Sequence, residues 1–375
     1  MMNLILFEGK KTWQTRKTHL FLLLGLLLTV ILFLFNGYLG QKENLVIDSL
    51  LGSNTRVMGQ NRYSDEINQF LKQTNQEIEE QEENFRAAAD KGQSLVGKLT
   101  LPTYPFYRTM LNNELAKRKL PPQSMRYGTK NTIFSAILLS YLASGFGIVL
   151  LLFLFGDSLT KEIDERSLYF YLSQPVKRSR LYFAKYMLVW LQSIVVVAVL
   201  FLFSFVIASL FSGGSSFDYP VIVFTEKSMT LMPIIQYSGQ VFLVFMFVLA
   251  FCLALHFFVS ILLKKTSFSL VVTLMILFEG YNLSTLNNEF MRKIAHFNPF
   301  AYLNVSRLFV GYDFRPFELF SIENQEYYAN WCLPRTLHNG QINSLNGVVV
   351  LSIGTVILLS LGYFCFKKNV HRWKI

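Results

Sequence analysis

Long apolar runs separated by polar segments dominate the pattern of this chain. A helix that crosses a bilayer needs about 20 predominantly apolar residues. Six stretches meet that requirement, and we predict a transmembrane helix over each of them: Leu20–Leu39, Ile133–Phe155, Met187–Phe211, Ile235–Leu263, Phe268–Leu286 and Asn346–Phe366. A transmembrane β-barrel shows repeated short segments of alternating polarity instead, and such segments do not dominate here. The pattern therefore predicts an all-α membrane protein with six spans.

The distribution of Lys and Arg predicts the orientation of these spans, because basic residues are retained on the cytoplasmic side of short loops. They are densest in four segments, which we predict to be cytoplasmic: 1–19, 156–186, 264–267 and 367–375. Both termini then lie inside. The other three polar segments lie outside: 40–132, 212–234 and 287–345.

Composition excludes an ordinary soluble enzyme, because 52% of the 375 residues are hydrophobic and only 16% are charged. Soluble domains carry charge on roughly a quarter of their residues. The net charge of +11 is explained by basic flanks against anionic lipid headgroups, so it requires no nucleic acid. Cys252 and Cys365 lie in predicted spans and only Cys332 lies outside, so a disulfide framework or a four-ligand zinc site is not predicted.

The chain before the first predicted span has two interpretations. Leu4 to Phe7 followed by basic residues favours an amphipathic helix lying in the cytoplasmic interface over residues 1–19. The alternative is a plain basic flank that only sets the topology. The span itself lacks a small-x-small cleavage site at its end, so we expect an uncleaved anchor.

The outside segments differ in what they predict. Residues 40–132 contain two helical patterns, Ser64–Lys91 with Ser64 as a cap and Pro105–Lys119, which favour a small helical subdomain packed on the bundle. A solvated charged linker is the alternative. Gly/Ser-rich residues in 212–234 predict a flexible connection, and Ala301–Val310 predicts an amphipathic helix at the membrane surface.

The cytoplasmic segment 156–186 carries the most information. Its acidic first half is followed by an apolar patch at residues 168–172, then by Pro175 and a basic stretch. Acidic residues near a helix start and a proline between two stretches favour two short helices with a hinge. An apolar patch exposed to the cytosol indicates docking onto another protein.

These residues resemble the cytoplasmic signature of ABC-2-type transporter permeases. The family pattern runs Glu-x-Glu-x-Gly-Thr-hydrophobic, then Leu-Ser-x-Pro-Val-x-Arg, then Gly-Lys. Two positions differ, since Arg166 and Ala184 stand where the family has Gly. The matching positions are Glu162, Asp164, Ser167, Leu168, Pro175, Arg178 and Lys185. The resemblance also covers the amphipathic start, the six spans and the Asn298-Pro299-Phe300 segment.

The resemblance implies a type V exporter-like architecture with an added helical insertion between the first two spans. It implies a half-transporter in which two permease copies, as a homodimer, pair with two cytosolic P-loop ATPase subunits that hold ATP and Mg. The matching positions then form a coupling helix that docks on the ATPase, and the permease itself needs no cofactor. The implied location is the bacterial cytoplasmic membrane, which the chain crosses several times in contact with lipid.

No motif of an enzyme is evident. Gly9-Lys10-Lys11-Thr12 lacks the first glycine of a P-loop, and no HExxH or GxSxG motif is present. Glu279 lies in the fifth predicted span, where a carboxylate costs about 3 kcal/mol unless it is paired or hydrated. Glu279 contacts substrate in a transport pathway or makes a structural hydrogen bond. His256 in the fourth span is the second candidate for the transport pathway: it shuttles protons near neutral pH or makes a hydrogen bond across helices.

We therefore predict the permease subunit of an ATP-driven exporter whose substrate is amphipathic or hydrophobic, such as a peptide, an antibiotic or a lipid. An alternative is a membrane sensor or scaffold that signals through residues 156–186 without transport. A third is a membrane-embedded enzyme that uses Glu279 and His256. Substituting Glu162 and Asp164 distinguishes the first hypothesis from the third, because a catalyst does not need them.

Overall fold

Long apolar helices form most of the chain. The computed structural model describes residues 9, 16–50, 64–90, 103–164, 177–226, 228–286, 288–309 and 332–372. In chain order the helices of these segments are α1 (Arg16–Leu50), α2 (Asp65–Asp90), α3 (Thr103–Arg118), α4 (Asn131–Leu142), α5 (Gly145–Phe155), α6 (Asp157–Asp164), α7 (Arg178–Phe211), α8 (Ile234–Leu263), α9 (Thr266–Ser284), α10 (Glu289–Ile294), α11 (Ser306–Phe309), α12 (Leu333–Thr336) and α13 (Ser344–Arg372).

Five of the described helices are long and apolar enough to cross a membrane by themselves: α1, α7, α8, α9 and α13. The membrane-spanning part is therefore helical, as predicted. A sixth span exists only if the bent pair Asn131–Leu142 and Gly145–Glu162 is counted as one. Helix α7 begins at Arg178, well before the predicted start of its span at Met187.

The predicted second span, Ile133–Phe155, contains a break that its uninterrupted apolar sequence does not reveal. The chain bends by 67° between α4 and α5, because Ser144 adopts an extended conformation. The bend brings the Leu142 carbonyl against Gly147, where a Cβ atom would overlap it. Backbone groups freed inside a membrane need new partners, and the Ala143 carbonyl accepts a hydrogen bond from the Val305 N–H at 3.2 Å.

Helix α8 is the centre of the bundle. In its most apolar stretch 72% of the residues are buried, against 17% for α1, α9 and α13. Helix α13 packs along α8, and α7 packs between α8 and α1. Since surface helices of a bundle need only one buried face, the outer helices leave apolar residues for contact with lipid or with another chain.

The bundle has two distinguishable ends. We call the end at which α6 follows α5 the α6 end, and the opposite end the hairpin end. The start of α1 and the last turns of α13 both lie at the α6 end, because Gly25 of α1 faces Leu200 of the parallel helix α7 and Phe366 of α13 packs on Tyr182.

A β-hairpin lies at the hairpin end, within residues 212–234. The prediction of a flexible connection over this segment is therefore wrong. Strand β1 (Pro220–Phe224) pairs antiparallel with β2 (Met229–Pro233), with Ile222 opposite Leu231. The apolar and β-branched residues of this segment favour a strand, a signal that the preceding Gly/Ser cluster obscured. The buried thiol of Cys332 donates to the Phe224 carbonyl at 3.4 Å, and burial raises the pKa of Cys332 to about 11.

The helices predicted within residues 40–132 are present as α2 and α3. Ser64 caps α2, since its Oγ accepts from the Ile67 N–H at 3.4 Å. Asn75 joins the two helices, because its Nδ2 donates to Asn113 Oδ1 at 2.8 Å and its Oδ1 accepts from Asn112 Nδ2 at 3.0 Å. Their buried apolar residues belong to the same core as the bundle, so the pair packs on it.

Of the amphipathic helix predicted over Ala301–Val310, only the short stretch Ser306–Phe309 is an α-helix. Two 3-10 turns, Ala295–Phe297 and Pro299–Tyr302, precede the short helix α11. Asn298 and Pro299 start the second turn, and Asn298 Oδ1 accepts from the Phe300 N–H at 3.1 Å. The apolar side chains of this segment are nevertheless buried in the protein core: Leu303, Val305, Leu308 and Phe309. The interface helix predicted over 1–19 falls largely outside the described residues.

Candidate functional site

The predicted coupling residues are distributed over two helices that meet at the α6 end. Glu162 lies in the last turn of α6, while Arg178 and Lys185 lie in the first turns of α7. Asp164 is exposed at the end of α6, and Arg178 is half-buried. Three further positions of the motif, Ser167, Leu168 and Pro175, lie outside the described residues.

Glu162 and Lys185 form an ion pair inside the protein. The Lys185 Nζ lies 2.9 Å from Glu162 Oε1 and 2.8 Å from Oε2. Glu162 is 7% exposed and Lys185 is 1% exposed. Removing one member of a buried pair leaves an uncompensated charge and costs about 3–5 kcal/mol. The pair therefore binds α6 firmly to α7, and neither side chain is available to contact another protein directly.

His256 joins α8 to the start of α6 and to α9. Its Nε2 lies 2.8 Å from the Gly156 carbonyl oxygen, and its Nδ1 lies 3.0 Å from Thr273 Oγ1. A carbonyl only accepts, so Nε2 carries the hydrogen that is donated to Gly156. The Thr273 hydroxyl beside Nδ1 donates to the Ser269 carbonyl of its own helix at 2.7 Å. Gly156 is required there, because a Cβ atom would lie 3.0 Å from Nε2 and closer still to the Leu152 carbonyl.

Glu279 lies elsewhere. It is exposed on α9, on the same side as Met275 and Phe278, whereas Thr273 and Leu277 of that helix are buried. Among the described residues Glu279 has no ion-pair or hydrogen-bond partner. The structure therefore does not bring Glu279 and His256 together into one site.

Two contacts that the sequence reasoning missed bind α7 to α8. Tyr186 Oη donates to the Ala250 carbonyl at 2.9 Å, and Trp190 Nε1 donates to the Met246 carbonyl at 3.0 Å. With Tyr182 these residues repeat every four positions, so they lie on one face of α7. This four-residue spacing of aromatic residues with polar tips is visible in the sequence beside the coupling motif. It could have predicted a face of α7 that packs against another helix.

Tyr182 extends this contact to α13. Its ring lies 5.7 Å from the ring of Phe366 and 6.2 Å from that of Phe257, measured between centroids. Gly362 permits the close approach, because a Cβ atom there would lie 2.5 Å from Tyr182 Oη. Direct contacts thus connect α6 to α7, α8 and α9, and connect α7 to α13.

Within the residues that the structure describes, no group of three or more His, Cys, Asp or Glu side chains is placed to hold a metal ion. At the α6 end the helices are held together by packing, by the ion pair and by hydrogen bonds. Helices packed in this way are known in other proteins to shift together when one of them is displaced.

Comparison with known proteins gives one family. A family model described as ABC-2 family transporter protein matches residues 10–369. Searches of curated proteins and of solved structures find no match.

Proposed function

Because the chain belongs to the ABC-2 family of transporter proteins and is a membrane-embedded permease component of an ABC transporter, we propose that it exports an amphipathic or hydrophobic substrate. Permeases of this family associate with a cytosolic ATPase subunit. We propose that two such subunits, which hold the ATP and Mg, act on a homodimer of this chain in a bacterial cytoplasmic membrane. Both termini and α6 then face the cytosol.

The buried pair of Glu162 and Lys185 is the observation that carries the proposal. A segment that receives force from an ATPase must be attached rigidly to the spans that it moves, and this pair attaches α6 to α7. Asp164 and Lys161 are exposed on α6. They offer charged side chains to the ATPase, while Glu162 and Lys185 act as positioning residues behind them.

The contacts behind α6 support a mechanical role. His256 holds the start of α6 against α8 and α9, and Tyr186 and Trp190 hold α7 against α8. Packed interfaces respond to a local displacement by moving whole helices. A shift of α6 on nucleotide-driven closure of the ATPase thereby moves α7, α8 and α9 together. In this proposal His256 positions helices and does not contact the substrate.

The exposed face of α9 is our candidate for the substrate pathway at the seam between two permease copies. A carboxylate facing lipid is unfavourable, and Glu279 is exposed on this face beside Phe278. A seam lined by apolar residues with one carboxylate on each side suits an amphipathic substrate. Basic residues concentrated at the α6 end support the cytoplasmic assignment of that end.

The experiment is an affinity purification of the tagged full chain from its native membrane, with quantitative mass spectrometry of co-purified proteins. We expect a P-loop ATPase with wild type and a strong loss with Asp164→Lys. The matched control is Asp218→Ala, an exposed aspartate at the hairpin end, which retains the ATPase. Glu162→Gln tests the proposed positioning role of the buried carboxylate. We expect this variant to lower both the recovery of the ATPase and the thermal stability of the permease.

If no ATPase co-purifies with wild type under conditions that preserve other membrane complexes, the transporter proposal fails. The alternative hypothesis of a sensor or scaffold then gains support. Equal recovery of the ATPase with Asp164→Lys and wild type contradicts the assignment of α6 as the docking helix.

A further inference from the structure

A cavity of about 640 Å³ lies at the hairpin end, far from the α6 end described above. It is bounded by residues 33–41 of α1 and by residues 123–130 before α4. Gly40 brings the two walls together, because a Cβ atom there would lie 3.2 Å from the Tyr127 carbonyl. At Gly37 a Cβ atom would meet only Thr129 Cγ2, at 3.9 Å.

Two buried amide side chains line this cavity with unsatisfied hydrogen-bonding groups. Asn36 is 1% exposed, and within the described part of the chain neither its Nδ2 nor its Oδ1 has a hydrogen-bond partner. Gln123 is 6% exposed, and its Oε1 likewise has none there. Buried polar groups in native proteins are nearly always hydrogen-bonded. Orphaned groups on the wall of a cavity therefore indicate that something else supplies the partners.

The cavity has a cationic wall. Lys130 is 5% exposed and lines it. Burial lowers the pKa of Lys130 to about 8, so its ammonium stays mostly protonated at neutral pH. Ser124 and Thr129 add hydroxyl groups to the same lining. The ammonium, the Asn36 amide N–H and the hydroxyl groups are donors that match an oxyanion. The unsatisfied oxygens of Asn36 and Gln123 are acceptors, which suit a hydroxyl group of the same ligand.

The opening of the cavity continues into a lipid-facing surface. Leu27, Ile31, Leu34 and Tyr38 of α1 are 52%, 52%, 64% and 55% exposed. Their spacing places them on one face of the helix, and Leu34 and Tyr38 also line the cavity. A tyrosine at the end of such a stripe marks the level of the headgroups. The polar cavity thus lies where an apolar, acyl-accepting surface ends.

We propose that this cavity binds the phosphate group of a membrane phospholipid, with the acyl chains along the exposed face of α1. Lys130 neutralises the phosphate charge and the Asn36 amide donates to a phosphate oxygen. The shared chemistry is a phosphate oxyanion, which free phosphate also carries. The apolar stripe at the mouth favours the lipid as its source.

The test is a lipid titration of the purified, delipidated full chain in detergent, read by native mass spectrometry. The probes are phosphatidylglycerol, a diacylglycerol with the same acyl chains, and inorganic phosphate. We expect phosphatidylglycerol to bind at least about tenfold more tightly than diacylglycerol, and Lys130→Gln to remove about that factor. Lys130→Arg keeps the charge and retains most of the affinity.

Two further variants separate binding from folding. Gly37→Leu places a side chain into the cavity without changing any charge, and we expect it to abolish phosphatidylglycerol binding. Lys293→Gln removes an exposed lysine at the same end of the bundle and leaves binding unchanged. The midpoint of thermal unfolding of each variant, measured alongside, identifies any that fails to fold.

Equal binding of phosphatidylglycerol and diacylglycerol overturns the proposal. So does undiminished binding by a folded Gly37→Leu variant. Binding of inorganic phosphate without binding of the lipid assigns the cavity to free phosphate and overturns the lipid assignment. Since this experiment measures binding alone, its outcome is independent of the transport proposal.

Discussion

The two ends of the bundle differ in how completely their buried polar side chains are hydrogen-bonded. At the α6 end the buried Lys185 meets the Glu162 carboxylate at 2.8 Å. At the hairpin end the buried Lys130 lines a cavity together with Asn36, whose amide lacks a partner among the described residues. An ion pair fixes the geometry between two helices, whereas a cavity wall with unsatisfied amide groups has hydrogen-bonding capacity to spare. The comparison separates the region for which we propose a mechanical role from the one for which we propose binding of a lipid.

The largest expected effect comes from breaking the ion pair. Lys185→Met leaves Glu162 charged and buried, and we expect a loss of about 3–5 kcal/mol in the free energy of unfolding. Denaturant titration of the purified protein, followed by tryptophan fluorescence, measures it. Adding Glu162→Leu removes the orphaned carboxylate and recovers most of the loss. An unchanged unfolding midpoint for Lys185→Met means that the pair does not form.

A substitution at the bend between α4 and α5 gives the next largest expected loss of stability. Gly147→Ala places a methyl group against the Leu142 carbonyl, and overpacking of this kind costs about 1–3 kcal/mol. Gly145→Ala in the same helix is the matched control, because a Cβ atom there has open space. We expect that control to be neutral or stabilising in thermal unfolding. Equal effects of the two alanines contradict the described bend.

At the hairpin end we expect one substitution to raise the free energy of unfolding instead of lowering it. Asn36→Leu removes two unsatisfied polar atoms, so in the delipidated protein we expect a gain of about 1 kcal/mol in the free energy of unfolding. The same variant weakens phosphatidylglycerol binding. Stability and lipid affinity measured on one preparation check both parts. A destabilised Asn36→Leu protein indicates that the amide has a structural partner.

The smallest expected effect tests the contacts behind the α6 end. Tyr186→Phe removes the hydrogen bond to the Ala250 carbonyl at a cost of about 1 kcal/mol. It also reduces the coupling of ATP hydrolysis to transport, because α7 then follows α6 less closely. Tyr363→Phe on α13 is the control, and transport per ATP hydrolysed is the measurement. Identical coupling in both variants removes Tyr186 from the proposed path.

Several elements were predictable from the sequence for simple physical reasons. Bilayer thickness fixes the length of an apolar helix, so the spans at α1, α7, α8, α9 and α13 follow from the apolar runs. Ser64 could be recognised as a helix cap from its position alone. The order of acidic, aromatic, proline and basic residues in 156–186 is enough to indicate a specialised segment. Local chemistry of this kind requires no knowledge of what lies nearby in space.

Other features depend on contacts between residues that are distant in the chain. The apolar sequence of residues 133–155 gives no sign of the bend at Ser144, since the N–H that satisfies the Ala143 carbonyl belongs to Val305. The motif identified Glu162 and Lys185, yet their separation by 23 positions in the sequence concealed that they pair with each other. His256 was equally ambiguous until Gly156 and Thr273 were placed against its ring.

The sequence by itself determined that this chain is a helical membrane protein, where its long apolar helices lie, and which segment carries the family signature. Those properties depend on residue type and local spacing. Only the tertiary structure decided which charged and polar groups are satisfied and which are not. Glu162 Oε1 accepts a hydrogen bond from Lys185 at 2.9 Å, whereas the amide of Asn36 lies on a cavity wall without a partner among the described residues. The physical reason is that hydrogen bonds and ion pairs depend on distance in space, and folding alone brings those atoms together.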